Sequence, residues 1–98
     1  MWIWTETGDL INGDMLFFID YEDEQIYRPN GKMEIEYTIM AYMGAKDDGY
    51  ILAKFNGESG MGRKILQEIA REIKRGKELI DVPEIIKTIK GDREEEFG

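Results

Sequence analysis

The chain contains no cysteine and no histidine, and its one serine is Ser59. Without cysteine there can be no disulfide, no thiolate nucleophile and no cysteine-ligated zinc. The lack of histidine removes the most common general base and the most common ligand for transition metals. A serine hydrolase triad cannot be built, because Ser59 has no histidine to activate it. We therefore predict a protein that is not an enzyme, with no catalytic residues, no metal and no cofactor.

Long apolar runs are also missing. No stretch of about 18 apolar residues occurs, so we expect no segment that spans a membrane. The opening residues, MWIWTE, lack the basic region of a signal peptide. On these grounds we expect a cytoplasmic protein that does not bind a membrane.

Acidic residues outnumber basic ones by 21 to 13, which gives a net charge of −8. The excess belongs to one part of the chain, because residues 1–62 carry 12 acids and 4 bases, whereas residues 63–98 carry 9 of each. Affinity for a phosphate backbone comes from lysine and arginine, so the acidic part is poorly suited to nucleic acid. We expect no direct contact with nucleic acid.

Alternating apolar and polar residues predict a sheet over the first half of the chain. The clearest strand runs over residues 33–43, where period two places one set of side chains on each face. Asn12-Gly13 is typical of a tight hairpin turn. The predicted strands cover residues 1–6, 10–11, 15–21, 25–27, 33–43 and 50–55. We predict an α+β fold with an antiparallel meander of five or six strands, which could curl into a half-barrel like the pleckstrin-homology shape.

Helical spacing begins after this sheet. Apolar residues recur as one stripe, at Ile65, Leu66, Ile69, Ala70 and Ile73. Ser59 is the candidate N-cap and Gly76 the candidate stop of this long helix. A short second helix is predicted from Asp81 to Lys90. We predict one domain over residues 1–90 and a disordered acidic tail over residues 91–98.

Several short segments occur together in a particular order. They are Met1-Trp2-Ile3 with Gly8-Asp9-Leu10-Ile11-Asn12, the strand Tyr50–Phe55, the helix Ile65–Ile69, and then Gly76-Lys77 and Ile80-Asp81. Over residues 1–82 this order resembles a group of short bacterial and prophage proteins with no assigned activity. The resemblance implies a sheet followed by a helix and an origin in a mobile element, and it implies no catalytic residues. The loop 57–64 and the segment after Pro83 depart from it.

Two features of the predicted sheet could bind a partner. The first is an acidic cluster, which could be a solvated strand edge, a site for a hard cation, or a mimic of phosphate charge that occupies the basic groove of a nucleic-acid-binding protein. The second is surplus apolar surface on the face away from the helix, which could belong to the core, to an oligomer interface or to a partner interface. The predicted partner-binding residues are Asp20, Glu22, Asp23, Glu24, Trp2, Trp4, Met40 and Tyr42.

A glycine-rich loop, Gly57–Lys64, lies between the last predicted strand and the long helix. Such a loop can bind a phosphate against a helix N-terminus. Compared with the phosphate-loop pattern, Arg63 stands where lysine is required and Lys64 where a hydroxyl is required. The alternative is a flexible turn whose glycines permit positive φ. The candidate ligand-binding residues are Gly60, Gly62, Arg63 and Lys64.

These observations favour a non-enzymatic interaction protein, an accessory or inhibitor encoded by a phage or mobile element that binds a host protein through its acidic, aromatic sheet. The alternative is a nucleotide binder or sponge that uses Gly57–Lys64 at the interface of a homodimer or other oligomer. The third hypothesis, an enzyme, is the least favoured. A catalytic site needs a closed cleft, and one sheet with one helix leaves little volume for it.

Overall fold

The computed structural model describes residues 1–44, 46 and 48–97, with side chains described as far as residue 91. It is an α+β structure with two α-helices and two three-stranded sheets. In chain order the elements are β1 (Trp2–Trp4), β2 (Leu10–Asn12), a 3-10 turn (Gly13–Met15), β3 (Phe18–Tyr27), β4 (Met33–Tyr42), β5 (Tyr50–Gly57), α1 (Met61–Lys74), β6 (Leu79–Asp81) and α2 (Val82–Phe97).

The first sheet, called the small sheet here, has the order β2-β1-β6. β1 pairs with β2 in antiparallel and with β6 in parallel orientation. Ile3 lies directly opposite Ile11 on one side and Ile80 on the other, and all three side chains are buried. The small sheet therefore contributes one row of isoleucines to the core.

The second sheet, called the long sheet here, has the order β3-β4-β5 and is antiparallel throughout. Tyr37, Ile39 and Ala41 alternate along β4 and are buried, as the period-two pattern predicted. A register shift between Ile39 and Met40 marks a bulge opposite β5. Near this bulge the backbone N–H of Glu6 donates to the carbonyl of Leu52 at 2.9 Å, which ties the end of β1 to β5.

Both helices pack on the sheets. The predicted stripe on α1 is confirmed at Ile65 and Ile69, which are fully buried. The predicted Ser59 cap is wrong, because Gly60 is the N-cap residue and no side chain caps the helix. Asp81 does cap α2, since its Oδ1 accepts a hydrogen bond of 3.1 Å from the backbone N–H of Glu84.

The architecture confirms the α+β class and corrects its finer detail. A single meander of five or six strands is not confirmed, because the strands are divided between two separate sheets, and the described residues form no closed barrel. The parallel strand β6 was not predicted at all. The predicted strands 15–21 and 25–27 belong to one strand, because β3 runs without a break from Phe18 to Tyr27.

Two remaining predictions concern the C-terminal tail and the absence of a membrane-spanning helix. The helix α2 is assigned as far as Phe97, but the side chains of residues 92–97 and all of Gly98 lie outside the described part, so a disordered tail over 91–98 stays a prediction. Among the described residues no helix is long and apolar enough to cross a membrane.

Candidate functional site

The two faces of the long sheet have different environments. Tyr21 and Tyr37 face α1, because a Cβ on the helix residue Gly62 would lie 2.7 Å from a ring carbon of each. Side chains alternate along a strand, so the even-numbered residues of β3 and β4 point away from the helices. This helix-distant surface, called the outer face here, carries the candidate site.

One end of the outer face is aromatic. The rings of Phe18 and Tyr42 stack with centroids 4.3 Å apart and an interplanar angle of 15°. Phe17 meets Phe18 edge-to-face at 5.6 Å. Phe18 remains 43% exposed, and Ile51, paired with Met40, is 44% exposed. Apolar and aromatic side chains therefore form a partly exposed patch at this end.

The other end of the outer face is acidic. Glu24 of β3 lies directly opposite Glu36 of β4, and Glu22 lies on the same face two pairs further along the ladder. None of these three carboxylates forms an ion pair among the described residues. Like charges that face each other across a sheet are destabilising. The carboxylates at the acidic end therefore lower the stability of the sheet.

One carboxylate at this end does have a partner. Arg28 donates from Nε and Nη2 to Oε2 of Glu34, at 3.2 and 2.8 Å. This hydrogen bond, together with the negative charge of Glu34, raises the pKa of the Arg28 guanidinium above its usual value. Glu34 thus contributes less free negative charge than Glu22, Glu24 and Glu36.

Asp20 lies between the aromatic and acidic ends. It pairs with Met40 across the strands and is partly buried. Its Oδ1 is shielded from solvent and has no hydrogen-bond partner in the described part of the chain. Buried carboxylate oxygens are normally satisfied, so this unsatisfied oxygen lowers the stability of the sheet at that point.

The structure divides the predicted acidic cluster. Asp20, Glu22 and Glu24 share the outer face, whereas Asp23 lies opposite Tyr37 and belongs to the face that carries α1. In place of Asp23, the cross-strand neighbour Glu36 joins the cluster. Alternation along β4 is the sequence signal that would have identified Glu36, because it places that residue on the same face as Met40 and Tyr42.

The predicted aromatic set is divided as well. Met40 and Tyr42 belong to the long sheet, whereas Trp2 and Trp4 belong to the small sheet. There Trp2 is 47% and Trp4 40% exposed, and their cross-strand neighbours Leu79 and Leu10 are also exposed. Their role in a partner or oligomer contact stays a prediction.

The glycine loop takes its conformation from packing. Gly60 has φ +86° at the start of α1, and Gly62 leaves no room for a side chain beside the rings of Tyr21 and Tyr37. The Tyr37 hydroxyl donates to the carbonyl of Glu58 at 2.6 Å, which holds the loop to the sheet. Since β5 is antiparallel to its neighbour, the loop lacks the parallel-strand setting of a phosphate loop.

Arg63 and Lys64, the candidate anion-binding side chains of this loop, are exposed on the first turn of α1. No contact of these two side chains distinguishes an anion site from a solvated helix surface. Nucleotide binding by the loop therefore stays a prediction. Across the described part of the chain, no group of three acidic, histidine or cysteine side chains is arranged to hold a metal ion.

Comparisons with known proteins add nothing to this geometry. No protein-family model, no curated protein and no solved structure matches the chain. The resemblance to short prophage proteins therefore stays a prediction, and any function must be argued from the chain's own surfaces.

Proposed function

We propose that the protein is a non-enzymatic interaction module whose outer face binds a basic surface of another protein. The observation that carries this proposal is the pairing of Glu24 with Glu36, beside Glu22, where none of the three carboxylates forms an ion pair among the described residues. Such an arrangement costs stability in the free protein. A partner that supplies lysine or arginine would remove that cost on binding.

The aromatic end supports the same proposal. Phe18 and Tyr42 present a stacked pair next to the acidic end, and aromatic residues are enriched at the centres of protein interfaces. Apolar contact there would contribute affinity, whereas the carboxylates would guide the approach and select basic partners. The expected partner surface therefore combines several cations with at least one apolar side chain.

Basic surfaces of this kind occur on proteins that bind nucleic acid, because they neutralise phosphates. Occupation by an acidic face would block such a surface. An accessory or inhibitory role toward a nucleic-acid-binding host protein follows from this chemistry, and a mobile-element origin is what the resemblance implies.

The test compares charge removal on the two faces of one strand. The double variant Glu22→Gln/Glu24→Gln removes two charges from the outer face, and Asp23→Asn is the control because it removes a neighbouring charge from the opposite face. Proteins captured from a lysate of the source cells by the wild type are identified, and their association rates with each variant are measured at two salt concentrations.

We expect a basic partner whose association with the double variant is slower and less dependent on salt, while Asp23→Asn has a smaller effect. Phe18→Ser should mainly increase the dissociation rate, because it removes apolar contact. Equal rates for the wild type and the double variant at both salt concentrations would refute the proposal, and so would a partner that is itself acidic.

A further inference from the structure

The strand β3 forms one edge of the long sheet, and that edge is open. Its ten residues pair with β4 on one side only, from Phe18 opposite Tyr42 to Tyr27 opposite Met33. In the described part of the chain, residues 18–27 form no backbone hydrogen bond to any other element. Backbone N–H and C=O groups alternate in direction along a strand, so every second residue of β3 directs both groups away from the sheet.

The open edge is long and regular. The pairs that β3 forms with β4 follow one another in a single register, whereas the pairing of β4 with β5 shifts between Ile39 and Met40. Short strands, bulges and prolines are the usual devices that prevent an edge from pairing with another strand. Residues 18–27, all of them described, have none of these, and residues 22–25 are all exposed. The free backbone groups of β3 can therefore accept a further strand.

The side chains that β3 places on the outer face form a pattern along this edge. Phe18 and Ile26 stand near its two ends. Between them every even position is acidic, at Asp20, Glu22 and Glu24. Glu22 and Glu24 are exposed and form no ion pair among the described residues. Residues directly opposite on adjacent strands have Cβ atoms about 4.5–5.5 Å apart, and opposite charges at this spacing attract. The edge therefore favours a strand with basic side chains at alternate positions.

The same charges oppose pairing with a second copy of this chain. An antiparallel pair of two β3 strands around a two-fold axis would bring the acidic stretch 20–24 of one copy beside that of the other. Like charges directly opposite across strands are destabilising. The whole chain also carries a net charge of −8, which adds repulsion between copies. The carboxylates therefore protect the edge against another β3 and leave it open to a basic strand.

We propose that the partner segment that binds here is an extended strand, which adds to β3 in antiparallel orientation and places lysine or arginine opposite Glu22 and Glu24. Antiparallel pairing continues the pattern of the long sheet and is slightly more stable per residue than parallel pairing. The added strand gains affinity from its backbone hydrogen bonds and selectivity from its alternate side chains. This inference rests on the proposed function and specifies the conformation of the partner segment.

The test uses the peptide VTKTKTTTF, acetylated at its start and amidated at its end. Its lysines lie opposite Glu24 and Glu22 when its phenylalanine lies opposite Phe18. Fluorescence anisotropy of the labelled peptide measures its affinity for the full chain, and NMR-detected hydrogen exchange shows which amides of β3 are protected. We expect the peptide to slow exchange at alternate residues of 18–27, because only those N–H groups lie at the open edge.

Two backbone-methylated forms of the peptide are each other's control. One carries N-methyl groups on the residues opposite positions 20, 22 and 24, and the other carries them on the residues opposite positions 21, 23 and 25, so both have the same charge. In an antiparallel pair only one of these sets directs its N–H groups toward β3. We expect methylation of that set to weaken binding by at least about tenfold, since several backbone hydrogen bonds are lost, and methylation of the other set to change the affinity less than about threefold.

The contribution of charge is measured with the unmethylated peptide. Glu22→Gln/Glu24→Gln should weaken its binding by about twofold to thirtyfold at low salt, because two cross-strand charge pairs are lost. Asp23→Asn is the control on the opposite face and should have a smaller effect.

Three results would overturn the added strand. They are equal affinity of the two methylated peptides, no binding of the unmethylated peptide at millimolar concentration, and edge protection that appears without peptide and rises with protein concentration, since the last would mean that a second copy occupies the edge. The proposed function would survive each of them if a basic partner still associated more slowly with Glu22→Gln/Glu24→Gln, so failure of the strand and failure of the proposed function are distinguishable.

Discussion

Replacing Gly62 by alanine tests the contact between α1 and the long sheet. A Cβ at this position would lie 2.7 Å from Cδ2 of Tyr21 and 2.7 Å from Cδ1 of Tyr37. The Tyr37 ring cannot move away easily, because Tyr37 is 2% exposed and its hydroxyl donates to the carbonyl of Glu58 at 2.6 Å. The helix or the rings must therefore shift to admit the methyl group.

The magnitude follows from two opposing effects. Alanine is favoured over glycine inside a helix by up to about 1 kcal/mol, and by less in the first turn, where Gly62 lies. Overpacking of a tight core contact costs about 1–3 kcal/mol. We expect Gly62→Ala to reduce the free energy of unfolding by about 1–2 kcal/mol, which is a fall of roughly 4–15 °C in Tm for a domain of this size.

Urea and thermal unfolding followed by circular dichroism measure this change, and Gly91→Ala is the matched control. Gly91 lies within α2, and a Cβ there would meet nothing within 4 Å. The control should be neutral or stabilising by up to about 1 kcal/mol, because only helix propensity changes. If Gly62→Ala were as stable as Gly91→Ala, the close packing of α1 on Tyr21 and Tyr37 would be wrong.

Two further substitutions test the parts of the fold that the sequence pattern did not predict. Ile80→Ala removes a fully buried side chain from β6 and should cost about 2–5 kcal/mol in urea unfolding, whereas an unchanged midpoint would show that β6 does not pair with β1. Glu24→Gln removes the repulsion with Glu36 and should stabilise the fold by less than about 1 kcal/mol at low salt, with a smaller gain at high salt. Destabilisation by Glu24→Gln at low salt would mean that the two carboxylates do not repel each other.

The elements predicted well are those whose secondary structure can be read from the periodicity of their own residues. β4 alternates from Tyr37 to Tyr42, and α1 carries apolar residues at helical spacing, of which Ile65 and Ile69 are buried, so each signal is local. β6 has only three residues, and its partner β1 lies at the other end of the chain. No periodicity can be read in so short a segment, and only the parallel pairing of Ile80 with Ile3 makes it a strand. Its absence from the prediction also explains why one meander was expected instead of two sheets.

The candidate site was predicted in part for a similar reason. A run of acids at 22–24 is visible in the sequence, but neighbours along a strand point to opposite faces. Sequence adjacency therefore grouped Asp23 with Glu22 and Glu24, whereas the register of β3 on β4 replaces it with Glu36. A prediction of one sheet places Trp2 and Trp4 with Met40 and Tyr42. The division into two sheets separates them.

The unpredicted strand β6 also forms one wall of a cavity of about 430 Å³ between α1, β6 and α2. β6 leaves α1 through Gly76 and Lys77 and leads directly into α2 at Val82. Its last residue, Asp81, is at once the cap of α2 and a wall of the cavity that Glu72 lines. If β6 did not pair with β1, the start of α2 would not be held beside the C-terminal turn of α1. Ile80→Ala, studied under conditions where it remains folded, should therefore speed amide hydrogen exchange at the start of α2 without slowing association at the outer face, because the paired strands of that face are β3, β4 and β5.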